Sequence, residues 1–282
     1  MINILKDLLC LRKHRIKSHK RRLVGFIKSR FATINYTPII VLGNQKSGTS
    51  VIAHLLADYG GLSKTIDIPP LWRSNTLKIL SGEVPFREVV VKHRYYFSTG
   101  LIKEPYMTFF IEQVFEVFPE ARYVFVVRDP RDNIRSILNR MDIPGDINAF
   151  SNLTRNLRFG YRIMLNTEVW GINKTKNLVE ILAHRWNKAG DSYLLHQDRM
   201  IMAKYEDFLA DKNGFIEGLA QKLTIKKKFD ITDNLDIQYQ PRGNRFVSWE
   251  DFFGEQNLTN IETICGERMK SFGYSITKTA SA

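Results

Sequence analysis

Cysteine is scarce in this chain, and no apolar run is long enough to cross a bilayer. Cys10 and Cys265 are the only two cysteines among 282 residues. Their separation provides neither a disulfide framework nor the spacing of a metal site, so a reducing, cytoplasmic location is expected. The longest apolar runs, such as 123–127, have the length of a strand and fall far short of about 20 residues. The sequence therefore predicts no membrane span, and its start does not resemble a secretory signal peptide.

Acidic residues are rare in the first 30 positions, where ten lysines and arginines occur with a single acid, Asp7. The whole chain has a formal net charge of +13, so most of the excess lies in this segment. We interpret residues 1–36 as an appended basic arm and residues 37–282 as the main domain. Three roles stay open for the arm: a solvated and partly helical tail, a helix on an anionic membrane, or a nucleic-acid contact. Nucleic acid is the least expected of the three, because aromatic residues that stack on bases are sparse there.

The main domain alternates apolar, strand-sized segments with amphipathic ones. Strands are predicted for the segments 38–42, 88–92, 101–103, 123–127 and 200–204, and a loop for 59–70. Helices are predicted after residue 48, over 107–118, after residue 129, over most of 149–198, and over 257–270. Alternating strands and helices favour an α/β fold with a central parallel β-sheet flanked by helices.

A glycine-rich loop joins the first predicted strand to the helix that follows it. It reads Gly43-Asn44-Gln45-Lys46-Ser47-Gly48-Thr49-Ser50. Its glycines have the spacing of a nucleotide P-loop, in which backbone N–H groups and a helix N-terminus bind phosphate. A P-loop has lysine directly after its second glycine, whereas this loop has Thr49 there and its lysine earlier, at Lys46. A P-loop kinase or NTPase is therefore an alternative and not the first prediction.

A second motif follows the predicted strand 123–127. Arg128 leaves the C-terminal end of this strand, and Ser136 lies eight residues later on the next predicted helix. Ligands of open α/β sheets bind at the carboxyl ends of strands, and an arginine there binds phosphate through two hydrogen bonds. The alternative role for Arg128 is an ion pair with Asp132 on the protein surface.

Together these two motifs closely resemble those of the sulfotransferases that use 3′-phosphoadenosine 5′-phosphosulfate (PAPS), of the bacterial carbohydrate and protein-tyrosine types. The resemblance covers about residues 38–274. It implies a P-loop-like fold, PAPS as the sulfuryl donor and no metal. By this resemblance, Arg128 and Ser136 hold the 3′-phosphate of the donor. The residues at its 5′-phosphosulfate are Lys46, Ser47, Gly48, Thr49 and Ser50.

Weaker matches to the same family add three candidate residues. Lys103 resembles a lysine that lies near the transferring group in related enzymes. Tyr205 resembles an aromatic residue near the adenosine, although a purely structural role in the core is equally expected. Arg245 falls in a region that resembles the family's C-terminal loop over the 3′-phosphate.

Sulfuryl transfer requires a general base, because the acceptor hydroxyl or amine loses a proton as it attacks sulfur. Asp67 lies 21 residues after Lys46, which resembles the spacing of the catalytic glutamate in protein-tyrosine sulfotransferases. His93 follows Lys92 and resembles the histidine of the cytosolic sulfotransferases, one residue short of their motif. Asp67 is the preferred base, His93 the second, and another carboxylate the third.

The predicted function is in-line sulfuryl transfer, with Lys46 and Lys103 stabilising the charge that develops on the sulfuryl group and the leaving phosphate. A glycan or glycolipid is the expected acceptor, on family analogy and the basic charge of the arm. Residues 1–30 are expected to allow peripheral contact with an anionic membrane at its inner face, and no nucleic-acid partner is expected. Besides the kinase, a non-enzymatic membrane- or polyanion-binding protein is the remaining alternative.

Overall fold

The structure is a computed structural model that describes residues 25, 27–72, 74–146, 157, 159–172, 175, 177–239 and 246–276. Its strands are β1 (Ile39–Gly43), β2 (Lys64–Ile66), β3 (Leu101–Lys103), β4 (Arg122–Val127) and β5 (Met200–Lys204). Its helices are α1 (Thr49–Gly60), α2 (Ser74–Leu80), α3 (Phe86–Lys92), α4 (Ile111–Val117), α5 (Pro130–Met141), α6 (Phe159–Met164), α7 (Thr167–Trp170), α8 (Leu178–Leu194), α9 (Tyr205–Ala210), α10 (Lys212–Lys222) and α11 (Trp249–Ser271). Most of the basic arm and the predicted site residue Arg245 lie outside the described residues.

The strands form one parallel sheet in the order β2-β3-β1-β4-β5. β1 is the middle strand, and every one of its residues is buried. A strand covered on both faces must be apolar throughout, which is why the segments at β1 and β4 were recognisable in the sequence. The predicted α/β fold with a central parallel sheet is confirmed, as are the strands at β1, β3, β4 and β5.

The two faces of the sheet bury two separate hydrophobic cores. Successive residues of a strand point to opposite faces. Ile40 and Leu42 of β1 therefore join one core, while Ile39 and Val41 join the other. Helices α4, α5, α8 and α11 supply the first core, and α1 and α10 supply the second. This three-layer arrangement holds the carboxyl ends of the strands in a fixed relation to one another.

The segment 88–92 is a helix, so the strand predicted there is wrong. Phe86, Val89 and Val90 are buried at helical spacing, whereas Val91 is 47% exposed. Pro85 precedes the first residue of α3, a position at which its fixed φ suits a helix start. The three consecutive valines favour a strand by local propensity, but burial of the i, i+3, i+4 face against α4 decides the structure.

Other differences from the predictions concern short or mixed elements. The predicted loop 59–70 contains the edge strand β2. This strand has three residues, too few for a sequence signal, and its pairing with β3 determines its conformation. The apolar face of 107–118 is buried as predicted, but the segment is a 3₁₀ helix (Pro105–Phe110) followed by α4. The last helix begins earlier than predicted, at Trp249, and has a non-helical residue at Gly254.

The end of the arm contacts the edge of the sheet at which β1 begins. The Asn35 side chain donates to the Thr99 carbonyl at 3.0 Å, and the Asn35 N–H donates to the Phe97 carbonyl at 2.9 Å. The division at residue 36 stays a prediction, as do the roles proposed for the arm. Within the described ranges, no helix has the length and apolar character that a membrane span requires.

Candidate active site

The loop between β1 and α1 requires glycine at two positions. Gly43 has φ +135°, and a Cβ there would collide with the Val126 carbonyl of β4. Gly48 has φ +97°, and a Cβ there would lie 2.2 Å from the ring of Tyr205. The loop therefore packs directly on β4 and on Tyr205. These contacts fix the backbone N–H groups at the start of α1, where a helix attracts anions.

The buried side-chain amide of Asn133, on α5, holds this loop through hydrogen bonds. Asn133 donates through Nδ2 to the Gln45 carbonyl at 2.9 Å and to the Ser47 hydroxyl at 3.0 Å. Its Oδ1 accepts from Asn44 Nδ2 at 2.8 Å. Asn44, Ser47 and Asn133 are all buried. The Ser47 hydroxyl, predicted to bind the donor, is thus an acceptor in the bracing network and lies inside the protein.

A fully buried arginine on α8 supports the same loop. The guanidinium of Arg185 donates to the side-chain oxygens of Asn44 and Gln45. It lies 4.2 Å from the ring centre of Phe109 and 4.9 Å from that of Trp170. No carboxylate pairs with it among the described residues. Burial accordingly lowers the pKa of Arg185 to about 9, so a cation remains beneath the loop at neutral pH.

Arg128 links the end of β4 to the loop. Its Nη1 donates to the Lys46 carbonyl at 3.2 Å, and its guanidinium lies 4.9 Å from the ring centre of Tyr205. Nη2 also lies 3.6 Å from the Asp132 carboxylate, which is the ion pair considered as its alternative role. Arg128 Nε is buried and has no hydrogen-bond partner in the described part of the chain. Arg128 thus retains an unused donor at the carboxyl edge of the sheet.

Lys103 and Asp67 form an ion pair at the carboxyl ends of β3 and β2. The ammonium of Lys103 contacts Asp67 Oδ1, and Lys103 is 2% exposed. Asp67 has φ +63°, a conformation that non-glycine residues rarely adopt, and its N–H donates to the Lys103 carbonyl at 2.9 Å. The backbone thus holds the Asp67 carboxylate beside the lysine.

Glu104, next to Lys103 in the chain, is fully buried behind this pair. It accepts hydrogen bonds from the N–H groups of Ile68 and Tyr106 and from the Trp72 indole. Burial, followed by the charge of Asp67, raises the pKa of Glu104 to about 7. Because Glu104 binds the residue after Asp67, it fixes the turn that carries the predicted base.

Most of the predicted site residues line one cavity of about 840 Å³. These are Lys46, Gly48, Thr49, Ser50, Asp67, Lys103, Arg128, Ser136 and Tyr205. His93 lies at the end of α3 and is not among the lining residues that the structure describes. Two motifs separated by about 80 residues therefore meet at one place, as the carboxyl ends of parallel neighbours β1 and β4 require.

The cavity wall also includes further aromatic and polar side chains. Trp72, Tyr106 and Tyr161 contribute rings, and Asn139 and Arg140 contribute polar groups. The rings of Trp72 and Tyr106 meet edge to face at 6.0 Å.

The sequence predictions did not include Asn133 and Arg185. The sequence gives a signal for both: each is a polar residue at the helical spacing of the apolar residues that face the core. Arg185 follows Ile181 and Leu182 at the core-facing interval of α8, and Asn133 precedes Ile134 and Ile137 on α5. Their partners in the loop lie 86 to 141 residues away, which a local pattern cannot indicate.

The chain belongs to the sulfotransferase family. The model of this family matches residues 79–229, which include β3, β4, β5 and both Arg128 and Ser136. Membership makes the protein an enzyme of sulfuryl transfer, in agreement with the sequence prediction, and it decides against the kinase and the non-enzymatic alternatives. No curated protein sequence matches the chain.

Several solved sulfotransferase structures are similar to this fold. Sulfotransferase STF9 from Mycobacterium avium is 14% identical, covers 93% of this chain and 83% of its own, and has a TM-score of 0.50. The sulfotransferase domain of the curacin biosynthetic pathway is 14% identical, with coverage of 87% and 100% and a TM-score of 0.48. Mouse sulfotransferase SULT7A1, complexed with PAP, is 12% identical, with coverage of 87% and 89% and a TM-score of 0.49. At 14% identity, the similarity to STF9 supports the fold alone.

Proposed function

We propose that this enzyme transfers the sulfuryl group of PAPS to a hydroxyl group of a carbohydrate or glycolipid. The observation that carries the proposal is the meeting of two anion-binding elements in one cavity: the loop with Lys46 at the end of β1, and Arg128 with Ser136 beyond β4. A donor with phosphate groups at both its 3′ and 5′ positions needs two such elements. A mononucleotide with phosphate at one end only would leave Arg128 unused.

The residues of the cavity fit the two ends of this donor. The loop and the N-terminus of α1 suit the 5′-phosphosulfate, because backbone N–H groups and Lys46 surround that position. Arg128, with a buried Nε that has no partner among the described residues, suits the 3′-phosphate together with the Ser136 hydroxyl. Tyr205, packed between Gly48 and Arg128, suits the face of the adenosine.

In the proposed reaction, the S–O bond to the acceptor oxygen forms while the S–O bond to the 5′-phosphate breaks. Asp67 takes the proton of the acceptor hydroxyl, since it is the carboxylate beside Lys103 in the cavity wall. Lys46 and Lys103 stabilise negative charge on the leaving phosphate and the sulfuryl oxygens. The ion pair holds the Asp67 carboxylate in place before the acceptor arrives.

A sugar acceptor suits the aromatic and polar side chains of the cavity wall. Carbohydrates present apolar C–H faces and many hydroxyl groups, which match the rings of Trp72, Tyr106 and Tyr161 and the polar ends of Asn139 and Arg140. A purely apolar acceptor would leave those polar groups without partners, at a cost in binding energy.

Calorimetry with 3′-phosphoadenosine 5′-phosphate (PAP) tests the proposal. The wild type is expected to bind PAP at least about 10-fold more tightly than AMP, because one charge-assisted contact contributes about 1.5–3 kcal/mol. Arg128→Ala should weaken PAP binding about 30-fold, and Ser136→Ala about 5-fold. Lys46→Ala should reduce the rate of sulfuryl transfer more than the affinity for PAP.

Arg87→Ala is the matched control, because Arg87 is an exposed arginine on α3 that does not line the cavity. It should bind PAP as the wild type does. Wild-type protein that binds PAP no better than AMP, or Arg128→Ala protein that binds PAP normally, would refute the two-phosphate site.

A further inference from the structure

The side chain of Gln45 is held in one orientation beneath the loop. Its Oε1 accepts a hydrogen bond from the guanidinium of Arg185, which has no acceptor atoms of its own. The amide of Gln45 therefore directs its oxygen toward Arg185. The other branch of the amide, Nε2, must then point elsewhere.

Gln45 Nε2 is a buried donor without a hydrogen-bond partner in the described part of the chain. Gln45 is 7% exposed, yet it lines the cavity beside Lys46. A buried amide N–H₂ that makes no hydrogen bond destabilises the protein, because it has lost its contacts with water and gained no partner in return. Such a group in a binding cavity is explained when a ligand supplies the acceptor.

The position of Gln45 indicates which part of the ligand that is. Gln45 precedes Lys46 in the loop. The N-terminus of α1, which suits the 5′-phosphate, follows on the other side of Lys46. The guanidinium that holds Gln45 lies 5.9 Å from the ring centre of Tyr106, which lines the same cavity as Lys46 and Lys103. Gln45 is thus part of the cavity wall next to Lys46, and the arginine that holds it lies near Tyr106 of the same wall.

We propose that Gln45 Nε2 donates a hydrogen bond to the sulfuryl group of the bound donor, and that Arg185 is the positioning residue that orients this amide. The inference rests on the proposed function, since it names a contact to the group that is transferred. A fixed donor aimed at developing charge stabilises a transition state without reorganisation.

Gln45→Met tests the contact, because methionine has a similar length and no donor. We expect its affinity for PAP, which lacks the sulfuryl group, to stay within about 2-fold of wild type. Its affinity for PAPS, measured by calorimetry without acceptor, should fall about 10-fold, and kcat about 100-fold. Retained PAP binding also shows that the variant is folded. The same substitution at the exposed Gln221 of α10 is the matched control and should change none of these values.

Gln45→Glu distinguishes a hydrogen bond from Gln45 Nε2 to the donor from a role of Gln45 as an acceptor for Arg185 alone. Glutamate still accepts from Arg185, but it replaces the donor by a negative charge. Our proposal predicts that this variant binds PAPS more weakly, and transfers more slowly, than Gln45→Met. Activity of Gln45→Glu at or above that of Gln45→Met would overturn the proposal, as would equal loss of PAP and PAPS binding in Gln45→Met. Failure of wild-type protein to bind PAP would refute the proposed function instead.

Discussion

The contact between Gly48 and Tyr205 can be tested by adding a single methyl group. In Gly48→Ala the new Cβ would lie 2.2 Å from the Tyr205 ring, so the ring must retreat by about 1.2 Å to reach ordinary contact at 3.4 Å. The residue also keeps φ +97°, which costs an L-amino acid about 1–2 kcal/mol. Overpacking of a buried ring adds roughly 1–3 kcal/mol.

Gly82→Ala provides the matched control. Gly82 also has a positive φ, +74°, but a Cβ there meets nothing within 4 Å. Only the backbone cost should appear, so Gly82→Ala is expected to lower the free energy of unfolding by about 1–2 kcal/mol and to leave PAP binding unchanged. Gly48→Ala should lose about 2–5 kcal/mol and, because the displaced ring pushes on Arg128, bind PAP at least about 10-fold more weakly.

Urea unfolding and calorimetry measure both effects, and the double variant Gly48→Ala/Tyr205→Ala separates their causes. Tyr205→Ala removes the obstructing ring, so the overpacking cost should disappear from the double variant while the backbone cost remains. If Gly48→Ala matches Gly82→Ala in stability and matches wild type in PAP affinity, Tyr205 does not pack on the loop as described.

Two further predictions concern the carboxylates near Lys103. Asp67→Asn should reduce kcat by about 100-fold or more while its PAP affinity stays within about 3-fold of wild type. His93→Gln should leave kcat nearly unchanged. If steady-state kinetics show the larger loss of kcat in His93→Gln, His93 is the base. Because the pKa of Glu104 is raised from 4.5 to about 7, the folded chain binds more protons than the unfolded chain between these values. Its contribution to the free energy of unfolding should therefore fall as pH rises from about 4.5 to about 7, and urea unfolding at several pH values should show that this fall is absent in Glu104→Gln.

The elements that the sequence predicted well are those in which local pattern and tertiary environment agree. β1 and the segment 123–127 of β4 are buried on both faces and consist of apolar residues, so their identity as strands is unambiguous. α3 shows the opposite case, since a valine run with strand propensity is helical because only one side of it faces the core. β2 has only three residues, of which two are polar, so its strand conformation depends on its pairing with β3.

The candidate site likewise contains residues whose positions the sequence predicts and residues whose positions it does not. Lys46, Arg128 and Ser136 belong to contiguous motifs, so their positions could be predicted from spacing and from the rule that ligands bind at carboxyl ends of parallel strands. Arg185 and the orientation of Gln45 depend on a contact between residues 140 positions apart. Only the packing of α8 beneath the loop creates that contact.

The bracing of the loop has a consequence for selectivity among nucleotide isomers. Asn133 and Arg128 both reach from the region after β4 to the loop after β1, through hydrogen bonds of 2.9 to 3.2 Å. The separation of the two proposed anion-binding elements is thus set by the folded chain and does not adapt readily to the ligand. A nucleotide with its second phosphate on the 2′-oxygen would place one phosphate at the first element and would not reach the second element with the other. The enzyme should therefore distinguish two molecules of identical charge and composition by geometry alone.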